Sequence, residues 1–221
     1  MMDIKTLNVC GINEAIIGMR NPMNSWSLSD SIPKSLCESN EDYIGERDLN
    51  LAQRLIKSGT EHCKYLRMIQ VWCDIDMTRF FWSEFDTYHY STKSSCSTVH
   101  KLLNPKNEIT LDMFEYYKED EDVVRIVIKR LNLIREMFLT TKDYSEQCKL
   151  KRRAKTLLME GFLQLRTVNT NYAELRNIVL QRKNHQMKKD WQDTFCKWVT
   201  TLPYSKELIF FGIENEYERL K

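Results

Sequence analysis

Only six glycines and four prolines punctuate the 221 residues of this chain. So few breakers favour helices over a turn-rich all-β fold, and they exclude collagen-like, low-complexity and linker-rich architectures. Apolar residues make up 42% and charged residues 29% of the chain, a globular composition rather than a disordered one. At this length a hydrophobic core needs no disulfide or metal support. The expectation is one domain over residues 1–221, without repeats or a linker.

Charge and apolar runs narrow the function classes. Lys and Arg number 33 against 31 Asp and Glu, a net charge of +2, which argues against a sequence-independent nucleic-acid binder with its broad cationic face. The longest apolar stretches resemble Leu208-Ile209-Phe210-Phe211, far short of the roughly 20 residues of a membrane span. The start, Met1-Met2-Asp3-Ile4-Lys5, shows no secretory pattern. Seven cysteines with no Cys-x-x-Cys pair suggest a reduced, cytoplasmic protein.

Periodicity supplies the elements. Residues 4–10 alternate and end at Gly11, which predicts a short strand. Residues 18–45 read as a long ordered loop, and its Arg20–Trp26 segment as packed structure rather than a lid with Arg20 reaching for a phosphate. A helix over 48–57 stops near Gly59. Ile69, Val71, Cys73, Ile75 and Met77 alternate with polar or aromatic neighbours, the signature of a half-buried strand. Thr78 is placed to cap a helix through Phe85, and 86–100 reads as a loop. Helices follow over 110–118, 121–140, 145–159 (broken by Gly161), 170–182 and 188–201 (ended by Pro203). The fold class is α+β, helix-rich, with a small antiparallel sheet.

Several groupings invite chemistry. His62, Cys63, Cys73, His89, Cys96 and His100 lie within forty residues, but none has zinc-ligand spacing, so no metal is expected. The basic run 149–155 reads as a solvated helix face, and the acidic run 119–122 suits a helix N-terminus. The segment from Ser91 to Thr98 is rich in hydroxyls, with His89 and His100 beside it; such a loop is either a phosphate or nucleobase binder or a plain polar connection. Cys96 with either histidine is a candidate nucleophile pair. Finally, Asn171, Glu174, Asn177, Gln181 and Arg182 put amides and a guanidinium on one helical run, groups suited to heterocycle edges and phosphates.

The run Asn171-x3-Leu175-x-Asn177-x4-Arg182 resembles a helix of the flavin-dependent thymidylate synthases, whose pattern there is Asn-Ala-Arg-x-Leu-x-Asn/His-Phe-Leu-x-Leu-Arg. A His follows in the family, as His185 does here. The element order over residues 48–202 is also similar. The resemblance implies that Asn171, Asn177 and His185 face FAD and that Arg182 binds the nucleotide. A gapless placement of the family's Arg-His-Arg-x7-Ser loop gives Asp86-Thr87-Tyr88-x7-Cys96. The Arg-His-Arg motif is therefore lacking, and Tyr88 falls on the substrate side. Cys96 stands where the family serine lies beside the reacting uracil carbon, flanked by Ser95 and Ser97. Arg79 and Lys93 are candidate cations to offset Asp86.

What the resemblance implies is a protein that binds a pyrimidine nucleotide against a flavin and modifies the base at C5, with hydride from the flavin and a one-carbon unit from folate. Family tetramers build their pockets between subunits, so it also implies a homo-oligomer. The alternatives are a non-catalytic descendant that binds or sequesters a nucleotide, and a factor that binds and inhibits a host protein. The last follows from a second similarity, to uncharacterised proteins of phages and prophages of Gram-positive bacteria, with Trp26, Trp72 and Trp82 as candidate anchors.

Overall fold

The computed structural model describes residues 2–37, 42–106 and 108–213. The fold is α+β and helix-rich, with a small antiparallel sheet of four strands, as the sequence suggested. The strands are β1 (Asp3–Cys10), β2 (Gln70–Thr78), β3 (Thr92–Ser95) and β4 (Leu163–Asn171), in the order β1-β2-β4-β3. In β2 the alternation is realised: Val71, Cys73, Ile75 and Met77 are all buried, while Trp72 is exposed. Burial pushes the Cys73 thiol up to about 12, with the Asp74 charge adding to it, so this cysteine is a packing group. The chain divides into two compact units, and β2 and β4 each run through both.

The first unit comprises Met1–Asp3, Ile75–Thr87 and Lys93–Thr167. It contains α3 (Arg79–Phe85), α4 (Thr98–Leu102), α5 (Glu121–Thr140) and α6 (Tyr144–Leu157). Helices α5 and α6 pack together over a cluster that includes Leu131, Ile134, Leu150, Ala154 and Phe162. Glu121 and Asp122 occupy the first turn of α5, where the helix dipole favours anions. Asp143 caps α6 by accepting from the Ser145 N–H.

Three expectations for this unit need correction. Thr78 stands at the N-cap of α3 but makes no side-chain cap bond. Residues 110–118 hold no α-helix: a 3-10 turn spans Leu111–Met113, Phe114 then runs extended and bridges to Phe162, and a second 3-10 turn starts at Lys118. Gly161 permits this approach, since a Cβ there would lie 2.4 Å from the Glu115 carbonyl oxygen. The stretch 86–100 is not all loop either, because it contains β3 and the start of α4.

The second unit comprises Ile4–Asp74, Tyr88–Thr92 and Val168–Lys221. Its helices are α1 (Ile12–Gly18), α2 (Glu46–Lys57), α7 (Tyr172–Arg182), α8 (Lys188–Asp190), α9 (Lys197–Val199) and α10 (Ser205–Leu208). A π-helical turn, Trp191–Cys196, joins α8 to α9, so the helix expected over 188–201 is not uniformly α. The helix expected from Thr170 begins at Tyr172, with Asn171 as its cap. Gly11 adopts φ +84, and a Cβ on it would meet the Met68 carbonyl at 2.6 Å, so both backbone sterics and close approach require glycine.

The described part of 18–45 is a packed structural loop. The Arg20 guanidinium is buried and donates to Asp48 Oδ1 at 2.5 Å. Asp48 Oδ2 accepts from the hydroxyls of Ser29 and Ser31, both at 2.6 Å, and from the backbone N–H groups of Asp30 and Ser31. Asp30 in turn accepts from the N–H groups of Arg47 and Asp48 in the first turn of α2. One carboxylate thus fastens the loop, and a second fastens it to the helix.

Candidate functional site

In the first unit the hydroxyl-rich segment is laid down by β3 and β4. Cys96, Ser95 and Ser97 are all exposed. The Cys96 N–H donates to the Leu165 carbonyl at 3.4 Å, and its own carbonyl accepts from Gln164 Nε2 at 3.1 Å. Gln164 is a buried junction. Its amide also donates to Thr98 Oγ1, its Oε1 accepts from Arg166, and its backbone carbonyl accepts from the Trp82 indole at 2.7 Å. Trp82 is therefore core, not the exposed anchor expected from sequence; Trp26 and Trp72 are exposed. Replacing Gln164 by Leu is expected to cost about 2 kcal/mol, because it strands the Cys96 carbonyl and the Arg166 donors. Urea unfolding of the variant checks this.

Asp86 is offset, but not by Arg79. Arg166 donates to both of its oxygens through Nη1, at 3.1 and 3.0 Å, and Lys93 Nζ lies 3.4 Å away. The Arg166 guanidinium also stacks 4.1 Å from the centre of Trp82. Arg79 instead pairs with Glu160 and donates to the Leu158 carbonyl. Lys93 thus answers the expectation, and Arg166 is the cation that sequence reading missed.

The second unit holds a cleft of about 430 Å³, within the range of small-molecule sites. Its apolar walls include Ile56, Leu66 and Leu180, and its polar lining includes Asn171, Asn177, Glu174, Arg67 and Tyr90. Asn171 is committed locally: its Oδ1 accepts from the Glu174 N–H, and its Nδ2 donates to the Tyr90 carbonyl at 3.4 Å. The cap of α7 therefore also holds the Tyr88–Thr92 segment beside that helix. Asn177 is exposed and accepts from Gln181 Nε2. Burial lowers the pKa of Arg176, and its guanidinium donates to the carbonyls of Ile209 and Phe211.

Arg182 and His185 do not line this cleft. Arg182 Nε donates to the Tyr88 hydroxyl at 2.8 Å, and its guanidinium stacks on Trp191 at 4.4 Å from the ring centre. His185 meets Trp191 edge-on, with ring centres 6.1 Å apart, and its Nδ1 accepts from the Met187 N–H. The structure thus groups Asn171 with Asn177, and groups Tyr88 with Arg182 and His185 around Trp191. Cys96, Ser95 and Ser97 belong to the first unit.

Sequence reading missed Gly59, Thr60, Cys63, Arg67 and Tyr90 as cleft residues. The available signal was the polar, aperiodic stretch 58–68 between a good helix and a good strand. Among the described residues no three His, Cys, Asp or Glu side chains gather as a metal site, and no helix is long and apolar enough to cross a membrane.

No family model matches the sequence, and no curated protein matches it. Solved structures do match. Thymidylate synthase X from Helicobacter pylori, crystallised with FAD and dUMP, superposes with a TM-score of 0.65 at 19% identity, covering 96% of this chain and 97% of that one. A flavin-dependent thymidylate synthase from the same organism, complexed with FAD and dUMP, gives the same score and identity over 94% and 97%. At such identity the shared property is the architecture: this chain has the fold of the flavin-dependent thymidylate synthases.

Proposed function

We propose that the chain binds a pyrimidine nucleotide together with a flavin and acts on the base at C5, as an oligomeric cytoplasmic protein whose assembly completes its pockets. The observation that carries this reading is the cleft beside α7. Asn171 and Asn177, singled out as flavin-facing residues by resemblance, line one cavity, in a chain that shares its fold along nearly its whole length with proteins crystallised with FAD and dUMP. The lining suits a planar ring with an anionic tail: apolar walls for the ring, an amide for its edge, an aromatic face and a guanidinium.

A bound flavin supplies hydride transfer, which no side chain can perform. The chain's own residues bind and orient. Asn177 reads a ring edge, and Asn171 fixes the Tyr90 segment beside the ring. Arg182, stacked over Trp191 and tied to Tyr88, is the residue that binds the nucleotide, with His185 alongside. Cys96, Ser95 and Ser97 are the base-side residues that the resemblance assigns.

An absorbance spectrum of the purified protein tests the flavin half: a yellow protein is expected, and a colourless one that takes up no added FAD overturns it. For the nucleotide half, Arg182→Ala is expected to weaken dUMP binding by about tenfold or more, the scale of a lost charge-assisted contact. Unchanged calorimetric affinity removes Arg182 from the site.

One observation favours a second reading, a nucleotide binder without turnover. Where the resemblance sets a pair of arginines, the chain has an aspartate already neutralised by Arg166 and Lys93. On that reading dUMP binds and no reduced flavin is consumed.

A further inference from the structure

The cleft beside α7 contains a cation whose side chain has no hydrogen-bonded partner among the described residues. Arg176 is engaged by two carbonyls. Arg67 also lines the cleft and is exposed, yet its side chain has no hydrogen bond or ion pair among the described residues. Its guanidinium rests over the Tyr90 ring, 5.9 Å from the centre. Tyr90 is itself 70% exposed, and its backbone is fixed by the Asn171 amide. An idle guanidinium parked on an open aromatic face, in a cavity of ligand size, is an arrangement that a ligand changes.

We propose that Arg67 and Tyr90 form the clamp for a phosphorylated heterocycle, with Arg67 taking the phosphate and Tyr90 the planar ring. The proposal rests on the cleft being the binding site described above, and it names the groups that recognise each half of the ligand. Relative strengths decide the direction of the change. An exposed cation–π contact is weak, whereas two N–H donors on a phosphate make charge-assisted, bidentate bonds. Phosphate therefore draws Arg67 off the tyrosine, and the same movement uncovers the Tyr90 face for the ring. Arg67 lies on the 3-10 turn Lys64–Arg67 between α2 and β2, outside the two motif segments, 86–96 and 171–185, that the resemblance matched residue by residue.

The test uses the full chain and matched ligand pairs differing only in phosphate: riboflavin and FMN, deoxyuridine and dUMP, and adenosine and AMP as a pair outside the proposed function. Calorimetry on the wild-type protein is expected to favour the phosphorylated member of a binding pair by about tenfold or more. In Arg67→Ala the preference for FMN over riboflavin falls to near unity while riboflavin binds as before, and Arg67→Lys keeps part of it. Tyr90→Ala weakens both members equally, and Tyr90→Phe restores them. Arg67 is exposed, so unchanged melting temperatures serve as the folding control.

A preference that survives in Arg67→Ala overturns the clamp while leaving the proposed function intact. If only the adenine pair binds and responds to Arg67, the proposed function fails and the clamp stands. If no pair binds the wild-type chain, both fail.

Discussion

Asp48→Asn is expected to lower the stability of this protein by about 3–5 kcal/mol, the cost of breaking a buried ion pair from one side. A typical domain has only about 5–15 kcal/mol in all. Asparagine keeps the volume but not the chemistry. Five donors converge on the two oxygens of Asp48: the Arg20 guanidinium, two serine hydroxyls and two backbone N–H groups. An amide turns one of those acceptors into a donor and leaves Arg20, only 5% exposed, without its counter-charge. The double variant Arg20→Met/Asp48→Leu is expected to lose less than Asp48→Asn alone, since an apolar pair carries no stranded charge. The pH dependence follows from the same geometry. Burial raises the Asp48 pKa, but hydrogen bonds from Ser29, Ser31 and Arg20 and the Arg20 charge outweigh it and hold the carboxyl below its ordinary value. Its stabilisation is therefore complete above about pH 4, the unfolded carboxylate range, and is lost only as the pH falls through the lowered folded value. Urea titrations of the wild type and of Asp48→Asn between pH 7 and pH 3 check both effects. Equal stabilities at neutral pH would show that the loop is held by something else.

The elements with one apolar face were legible in the sequence. β2 and α7 bury the residues their periodicity selects, α2 buries Ala52 and Ile56, α5 buries Val124, Leu131 and Ile134, and α6 buries Leu150 and Ala154 but leaves Leu157 exposed. β4 was not legible, because its covered face is polar: Gln164 and Thr170 are buried with Val168, while Leu165 is 44% exposed. A reader of hydropathy sees no strand there, since the amide is satisfied by partners far away in sequence, at Cys96 and Thr98. β3 escaped for a related reason: a short edge strand of Thr, Lys and Ser has its backbone bonds to recommend it and little else. Residues 110–118 carry helical spacing, yet Phe114 is pulled into an extended bridge by its packing against Phe162, with ring centres 5.4 Å apart. In the candidate site, the carboxamides on α7 were legible as a pattern. The residues facing them were not: Arg67 sits on a 3-10 turn, and Tyr90 in an irregular segment, its carbonyl taken by the Asn171 amide. Such positions follow no period, so only the folded chain shows that they share a cleft.

Trp191→Ala carries the second large effect, and it separates packing from recognition. Trp191 is fully buried at the start of the π turn, edge-on to Phe195 with ring centres 5.5 Å apart. Phe195, Cys196 and Val199 are buried with it. Removing the indole is expected to cost about 3–5 kcal/mol, through lost transfer energy and the cavity left behind. It also removes the surface on which the Arg182 guanidinium lies. Arg182 keeps its bond to the Tyr88 hydroxyl, but its guanidinium loses a surface that restricts it and gains freedom that a bound anion must take away. Trp191→Phe keeps an aromatic face and is expected to retain most of the stability and most of the dUMP affinity. Thermal unfolding and calorimetry on the same samples, below the melting transition of the weakest variant, read the two effects apart. If Trp191→Ala binds dUMP as tightly as wild type while melting far lower, the stack serves the core alone. If affinity falls further than Arg182→Ala by itself makes it fall, Trp191 touches the ligand as well as the arginine.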